Sequence, residues 1–179
     1  MMDAVDTHEF WQIIDEARAH ARGNLDAQVD TLHDKLSQLD VLEVVDFDRL
    51  LVQANHGLYT WPLWGAADLI FGSCGDDAFT DARSWIVSLG SDVYHQVLED
   101  PQALADIDTD PDPDDLDVAE QWAGVAAQVY AGHTGRHLDE AYPERTPISL
   151  PDGEPLGTQL SDEPEDLAVH FPRLARRFG

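Results

Sequence analysis

Apolar residues recur every three or four positions along most of this 179-residue chain, and that spacing places them on one side of an α-helix. Leu25, Val29, Leu32 and Leu36 show the period within a single segment. Because the same period returns in nearly every apolar segment, the sequence predicts an all-α fold. We expect one compact multi-helix domain over residues 1–179, a length sufficient to bury a core without disulfides or metal ions.

The predicted helices begin and end at residues that commonly terminate helices. Thr7, Asp40 and Ser91 are expected as N-caps, and Gly57 and Gly90 as stops. The expected ranges are 7–23, 25–39, 41–55, 62–71, 78–89, 91–98, a short helix over 103–104 that Asp100-Pro101 starts, 116–131, and 165–178 with an interruption near residue 172. Residues 62–71 are apolar on nearly every face, so we expect this helix to be central and buried.

Two segments break the helical period. Residues 106–117 hold seven aspartates and two prolines, a composition typical of a solvated acidic loop. Residues 133–162 are rich in proline and glycine and poor in apolar residues, so we expect a long irregular segment extended over the surface before the C-terminal helix.

The charge balance excludes several classes of partner. The chain has 36 Asp and Glu against 10 Lys and Arg, for a formal net charge of −26. Electrostatic binding to nucleic acid or to anionic lipid requires positive charge, so neither is expected as a partner. A protein of this charge is suited instead to a basic protein partner.

Cysteine content and hydropathy bear on the compartment. Cys74 is the only cysteine, which excludes an intramolecular disulfide and a cluster of thiolate metal ligands. No segment approaches the roughly 18 consecutive apolar residues of a membrane span, and no signal peptide is predicted. A cytoplasmic protein is the expectation.

The densest apolar region carries a recognisable motif. The run from Leu63 to Phe79, LWGAADLIFGSCGDDAF, continues to Arg83, Trp85-Ile86 and Gly90. This order resembles the signature of a bacterial family, domain of unknown function 4240. Further similarity lies at Phe10-Trp11, Ile13-Ile14-Asp15, 94–101 and Phe171-Pro172-Arg173-Leu174. The family pattern has Ser between the Cys and the Asp pair and an aromatic residue before the Arg, where this chain has Gly75 and Ala82. The resemblance implies the architecture and no named activity.

The turn at residues 74–83 is the main candidate site. A thiol at Cys74, on a glycine-flanked turn before a helix, would have its thiolate favoured by the helix dipole and could act as a nucleophile or redox group. The structural alternative is a buried Cys74 followed by two ordinary helix caps, Asp76 and Asp77, one of which pairs with Arg83. We expect this ion pair and a covered thiol.

Aromatic and histidine residues supply two further candidates. Tyr59 and Trp61 lie on a connection bounded by Gly and Pro, where they could line a groove. His133, His137 and Glu140 have a spacing that could hold a metal ion on a helix, but neighbouring glycines weaken that helix. We expect no metal and no cofactor.

Two function classes follow from these observations. The first is a protein-binding, regulatory or inhibitory module that engages a basic partner, for example an immunity-type inhibitor of a basic toxin. The second is a small enzyme or ligand-binding protein that uses Cys74, Asp76, Asp77 and Arg83. We favour the first because no catalytic constellation stands out, and the sequence predicts no oligomeric state.

Overall fold

The computed structural model describes residues 5–144 and 153–179, and it confirms the all-α fold. This part of the chain contains ten α-helices and two short 3₁₀ helices, at Pro101–Asp106 and Leu138–Glu144. The α-helices are α1 Thr7–Ala21, α2 Leu25–Leu36, α3 Val41–Gly57, α4 Trp61–Phe71, α5 Asp76–Ser88, α6 Ser91–Glu99, α7 Asp114–Ala123, α8 Val125–Thr134, α9 Pro164–His170 and α10 Pro172–Phe178.

Side-chain caps determine where the first four helices begin. Asp40 accepts hydrogen bonds from the backbone N–H groups of Leu42 and Glu43, and the Glu43 carboxylate accepts one from the Asp40 N–H in return. This capping box satisfies three backbone donors that a helix start leaves open. The prediction of Thr7 as the first cap was wrong, because Asp6 precedes it and accepts from the Glu9 N–H at 2.9 Å.

The most buried part of the core is α5, not α4 as the sequence predicted. Residues 84–88 at the end of α5 are all buried, and Phe79 and Ala82 of the same helix lie within the core. In α4, Trp64 and Ile70 are only half-buried. The reason is that α5 packs closely against α7, whereas α4 lies towards the surface, covered by α9 and α10.

The first residue of α6 is hydrogen-bonded to a carboxylate of α1. Asp15 on α1 accepts hydrogen bonds from the Ser91 N–H at 2.8 Å and from the Ser91 hydroxyl at 2.6 Å. Gly90, with φ 99°, precedes Ser91, and a Cβ atom added there would lie 2.6 Å from Asp15 Oδ1. Gly90 is therefore the N-cap residue and Ser91 the first helical residue, contrary to the prediction of Ser91 as the cap.

The acidic loop is shorter than predicted. The 3₁₀ helix ends at Asp106 and α7 begins at Asp114, so only residues 107–113 are irregular. The helix expected over 116–131 is divided at Gly124 into α7 and α8.

The segment predicted as extended from 133 to 162 also begins with ordered turns. α8 continues to Thr134, and a 3₁₀ helix follows with Leu138 and Ala141 buried. Residues 145–152 lie outside the described part. From 153 to 162 the chain is irregular and mostly exposed, as predicted, with one parallel bridge between Thr60 and Leu156.

The C-terminal helices are interrupted at Pro172, as predicted. A Cβ atom at Gly65 of α4 would lie 2.8 Å from Leu167 Cδ2, so the Leu167 side chain of α9 occupies the space beside this glycine. Leu174 of α10 is fully buried. Within residues 5–144 and 153–179, no helix has the length and hydrophobicity required to cross a membrane.

Candidate functional site

Four aromatic side chains form a continuous stack beside the turn that precedes α5. Trp64 lies in the middle, with ring centroids 5.4 Å from Trp61 and 4.5 Å from Phe79, both nearly parallel. The Tyr59 ring lies 6.2 Å from Phe79. We call these four residues the aromatic stack. It brings Tyr59 and Trp61, both candidates from the sequence, next to α5 and the Cys74 turn.

Arg83 covers the end of the aromatic stack and does not form the ion pair that we expected. Its guanidinium carbon lies 4.8 Å from the Tyr59 centroid and 5.1 Å from the Phe79 centroid. These distances fit cation–π contacts. Among the described residues, Arg83 has no ion pair with a carboxylate.

Backbone carbonyls take the place of the expected carboxylate. Arg83 donates to the carbonyls of Phe79 and Asn55, at 3.4 and 3.1 Å, and to the Thr80 hydroxyl at 3.0 Å. Asn55 lies in the last turn of α3, where a cation compensates the negative end of the helix dipole. Burial lowers the pKa of Arg83 from its ordinary value. Its contacts therefore join α5 to the end of α3.

Asp76 and Asp77 are exposed and do not cap α5. The N-cap residue is Gly75, which has no side chain to accept a hydrogen bond, so both aspartates lie within the first turn. There they stabilise the helix through its dipole rather than by capping it.

The turn at Cys74 is held by two side chains of α4. Asp68 accepts a hydrogen bond from the Cys74 N–H at 2.7 Å, and Trp64 Nε1 donates to the Cys74 carbonyl at 2.8 Å. The thiol is buried, with 7% of the residue exposed, and donates to the Gly72 carbonyl at 3.3 Å. Trp64 therefore connects the turn to the aromatic stack.

We expect Cys74 to be unreactive in the folded protein. Burial, and secondarily the charge of Asp68, raises the pKa of its thiol to about 11, so about one molecule in ten thousand carries a thiolate at pH 7. The rate of labelling by a thiol reagent at pH 7 should be about 100-fold lower in the native protein than in guanidinium chloride. Equal rates in the two conditions would contradict this prediction and favour a catalytic thiol.

The histidine spacing at 133–140 forms no metal site in the described part of the chain. Glu140 instead accepts hydrogen bonds from Arg136 Nε and from the His137 backbone N–H, each at 3.2 Å. Across residues 5–144 and 153–179, no group of three His, Cys, Asp or Glu side chains is arranged to hold a metal ion.

Three residues of this site, Trp64, Asp68 and Phe79, were not among the candidates predicted from the sequence. Trp64 and Phe79 lie in apolar segments where helix packing is the ordinary role of an aromatic residue, and Asp68 is one of 36 acidic residues. The sequence does contain a sign of this site. Five aromatic residues lie between positions 59 and 79, more than are required to pack one side of a single helix. The structure brings Tyr59, Trp61 and Arg83 together around that stack, with Cys74 beside it.

Comparison with known proteins gives a family and no activity. The family model described as "Protein of unknown function (DUF4240)" matches residues 5–132. The match includes the motif from Leu63 to Gly90 and ends before Phe171-Pro172-Arg173-Leu174. Neither the curated proteins nor the solved structures contain a match to the chain. Since the family model covers well over half of the sequence, the chain belongs to the DUF4240 family of proteins of unknown function.

Proposed function

We propose that the protein is a binding module that engages a basic partner protein through acidic side chains on α5 and α7. Asp77 and Asp81 lie one helical turn apart on α5, and Asp117 and Glu120 lie three residues apart on α7. The two helices pack against each other. We call these four residues the acidic face.

The observation that carries this proposal is the juxtaposition of four carboxylates on two packed helices, none of which has a cationic partner among the described residues. The pKa of Asp81 is raised to about 6, first by burial and then by the charges of Glu120, Asp77 and Asp117. None of the four takes part in an ion pair among the described residues. A cationic partner would relieve this repulsion, whereas the protein's other residues leave it in place.

The overall charge of −26 supports the same function. A field of this sign accelerates the association of basic proteins and repels acidic ones. A regulator or inhibitor of a basic protein would use both effects. The single unpaired thiol is consistent with a cytoplasmic setting for this role.

The test is a titration with a lysine-rich peptide, with affinity measured by calorimetry at about 0.1 M salt. Neutralising the acidic face with Asp77→Asn, Asp81→Asn, Asp117→Asn and Glu120→Gln should weaken binding by about tenfold or more. Affinity in the wild type should also fall as pH is lowered through 6, because Asp81 then becomes protonated.

The matched control neutralises four exposed acids elsewhere, with Asp30→Asn, Asp34→Asn, Asp92→Asn and Glu99→Gln. Both variants have the same net charge, so a general attraction to polyanions would weaken equally in the two. The proposal requires the control to stay within about twofold of the wild type. Equal losses in the two variants would refute it.

The second function class is a small enzyme or ligand-binding protein at the Cys74 turn, and the contacts of this turn do not favour its catalytic version. The raised pKa of Cys74 opposes thiol catalysis, and the exposed Asp76 and Asp77 do not converge on Arg83. Arg83 is occupied by carbonyls and a hydroxyl.

A further inference from the structure

A polar cleft opens between α4 and the irregular segment at 159–162. Its volume is about 240 Å³. Trp61, Trp64 and Asp68 line it from α4, Cys74 lines it from the turn, and Asp162 lines it from the irregular segment. We call it the indole cleft. None of the residues of the acidic face lines it, so the two surfaces are distinct.

The aromatic wall of the indole cleft is fixed in place. Trp61 stacks on Trp64, whose other neighbour in the stack is Phe79, and Trp64 Nε1 is held by the Cys74 carbonyl. Trp61 is the terminal ring of the stack and remains half-buried. An indole is the aromatic ring to which cations bind most strongly, and a rigid one loses little conformational freedom on binding.

The charged groups of the indole cleft all have the same sign. Asp68 and Asp162 are its two carboxylates, and neither belongs to an ion pair among the described residues. Burial raises the pKa of Asp68, the hydrogen bond from Cys74 lowers it, and the charge of Asp162 raises it further. No lysine, arginine or histidine lines the cleft in the described part of the chain. An anionic ligand would therefore find no counter-charge.

We infer that the indole cleft binds a small organic ammonium ion, with Trp61 contacting its alkyl groups and Asp68 and Asp162 pairing with its charge. Aromatic rings combined with carboxylates recognise such ions because the ring faces are negative and the alkyl groups are readily desolvated. A bare metal ion would gain nothing from the indole wall. The ammonium group can belong to a free metabolite or to a lysine side chain of another protein.

The experiment compares three probes by calorimetry with the complete chain: choline, lysine capped at both ends as an amide, and the neutral alcohol in which carbon replaces the nitrogen of choline. At least one cation should bind about tenfold or more tightly than the neutral alcohol. Tighter binding of choline indicates a free metabolite, and tighter binding of the capped lysine indicates a protein side chain. Similar weak binding of all three probes would overturn the inference.

Variants locate the binding within the molecule. Trp61→Leu and Asp68→Asn should each weaken cation binding about tenfold, and Trp61→Phe, which retains a ring, should lose less. Asp92→Asn removes an exposed charge on α6 and should leave affinity unchanged. Thermal unfolding of each variant verifies folding, and the preference of the wild type for cations is measured without any substitution. Unchanged affinity in both folded Trp61→Leu and Asp68→Asn would also refute the assignment.

Discussion

Replacement of Phe79 by alanine should lower the free energy of unfolding by about 3–5 kcal/mol. The ring is fully buried, lies 4.5 Å from Trp64 and contacts both Tyr59 and the Arg83 guanidinium. Its removal leaves a cavity in the middle of the aromatic stack and a guanidinium with one aromatic partner fewer. Chemical denaturation monitored by circular dichroism measures the loss.

Phe79→Leu is the matched control, because it retains most of the apolar volume and should cost less than about 1.5 kcal/mol. Labelling of Cys74 should accelerate in Phe79→Ala and change little in Phe79→Leu, since Trp64 connects Phe79 to the Cys74 turn. A loss below about 1 kcal/mol for Phe79→Ala would mean that the ring does not pack as described.

Replacement of Arg177 by methionine should lower the free energy of unfolding by about 2–4 kcal/mol. This α10 side chain donates to the carbonyls of Ala105, Ile107 and Thr109, at 3.0, 2.6 and 2.7 Å, and to the Asp110 carboxylate at 2.9 Å. Asp110 is almost fully exposed, so its ion pair contributes little. The loss comes from carbonyls left without a donor.

The neighbouring Arg176 gives a sharp control, because it is exposed and has the same charge. Arg176→Met should change the free energy of unfolding by no more than about 0.5 kcal/mol. Limited proteolysis should cleave residues 107–113 faster in Arg177→Met than in Arg176→Met. Similar losses of stability in the two variants would show that overall charge, and not the carbonyl contacts, determines the effect.

The helices were predictable from the sequence because their information is local. The apolar period and capping residues such as Asp40 lie within or next to the segments that they define, and most predicted ends fall close to the observed ones, although Gly57 is the last residue of α3 and Leu58 is its C-cap. The errors at Thr7 and Ser91 have a common cause. In each case a stronger acceptor is available, from the preceding Asp6 in one and from the distant Asp15 in the other.

The relative burial of helices and the partner of Arg83 depend on contacts between distant segments. The apolar residues of α4 indicate that this helix is packed against other helices. They do not indicate that α9 and α10 cover α4 less completely than α7 covers α5. For Arg83, two aspartates six and seven positions away were available, yet its acceptors are groups of α5 itself and the Asn55 carbonyl, 28 positions away. Sequence spacing identifies the acceptors that Arg83 could reach along its own helix. The packing of α3 against α5 determines that the Asn55 carbonyl is one of those it binds.

The cover that α9 and α10 place over α4 has a consequence during synthesis. Gly65 and its neighbours emerge from the ribosome long before Leu167 and Leu174, the residues that pack on or beside α4. At about 5–20 residues per second, the apolar surface of α4 stays uncovered for on the order of ten seconds. We therefore expect the nascent chain to expose a transient binding surface for chaperones, which disappears once α9 and α10 have folded back.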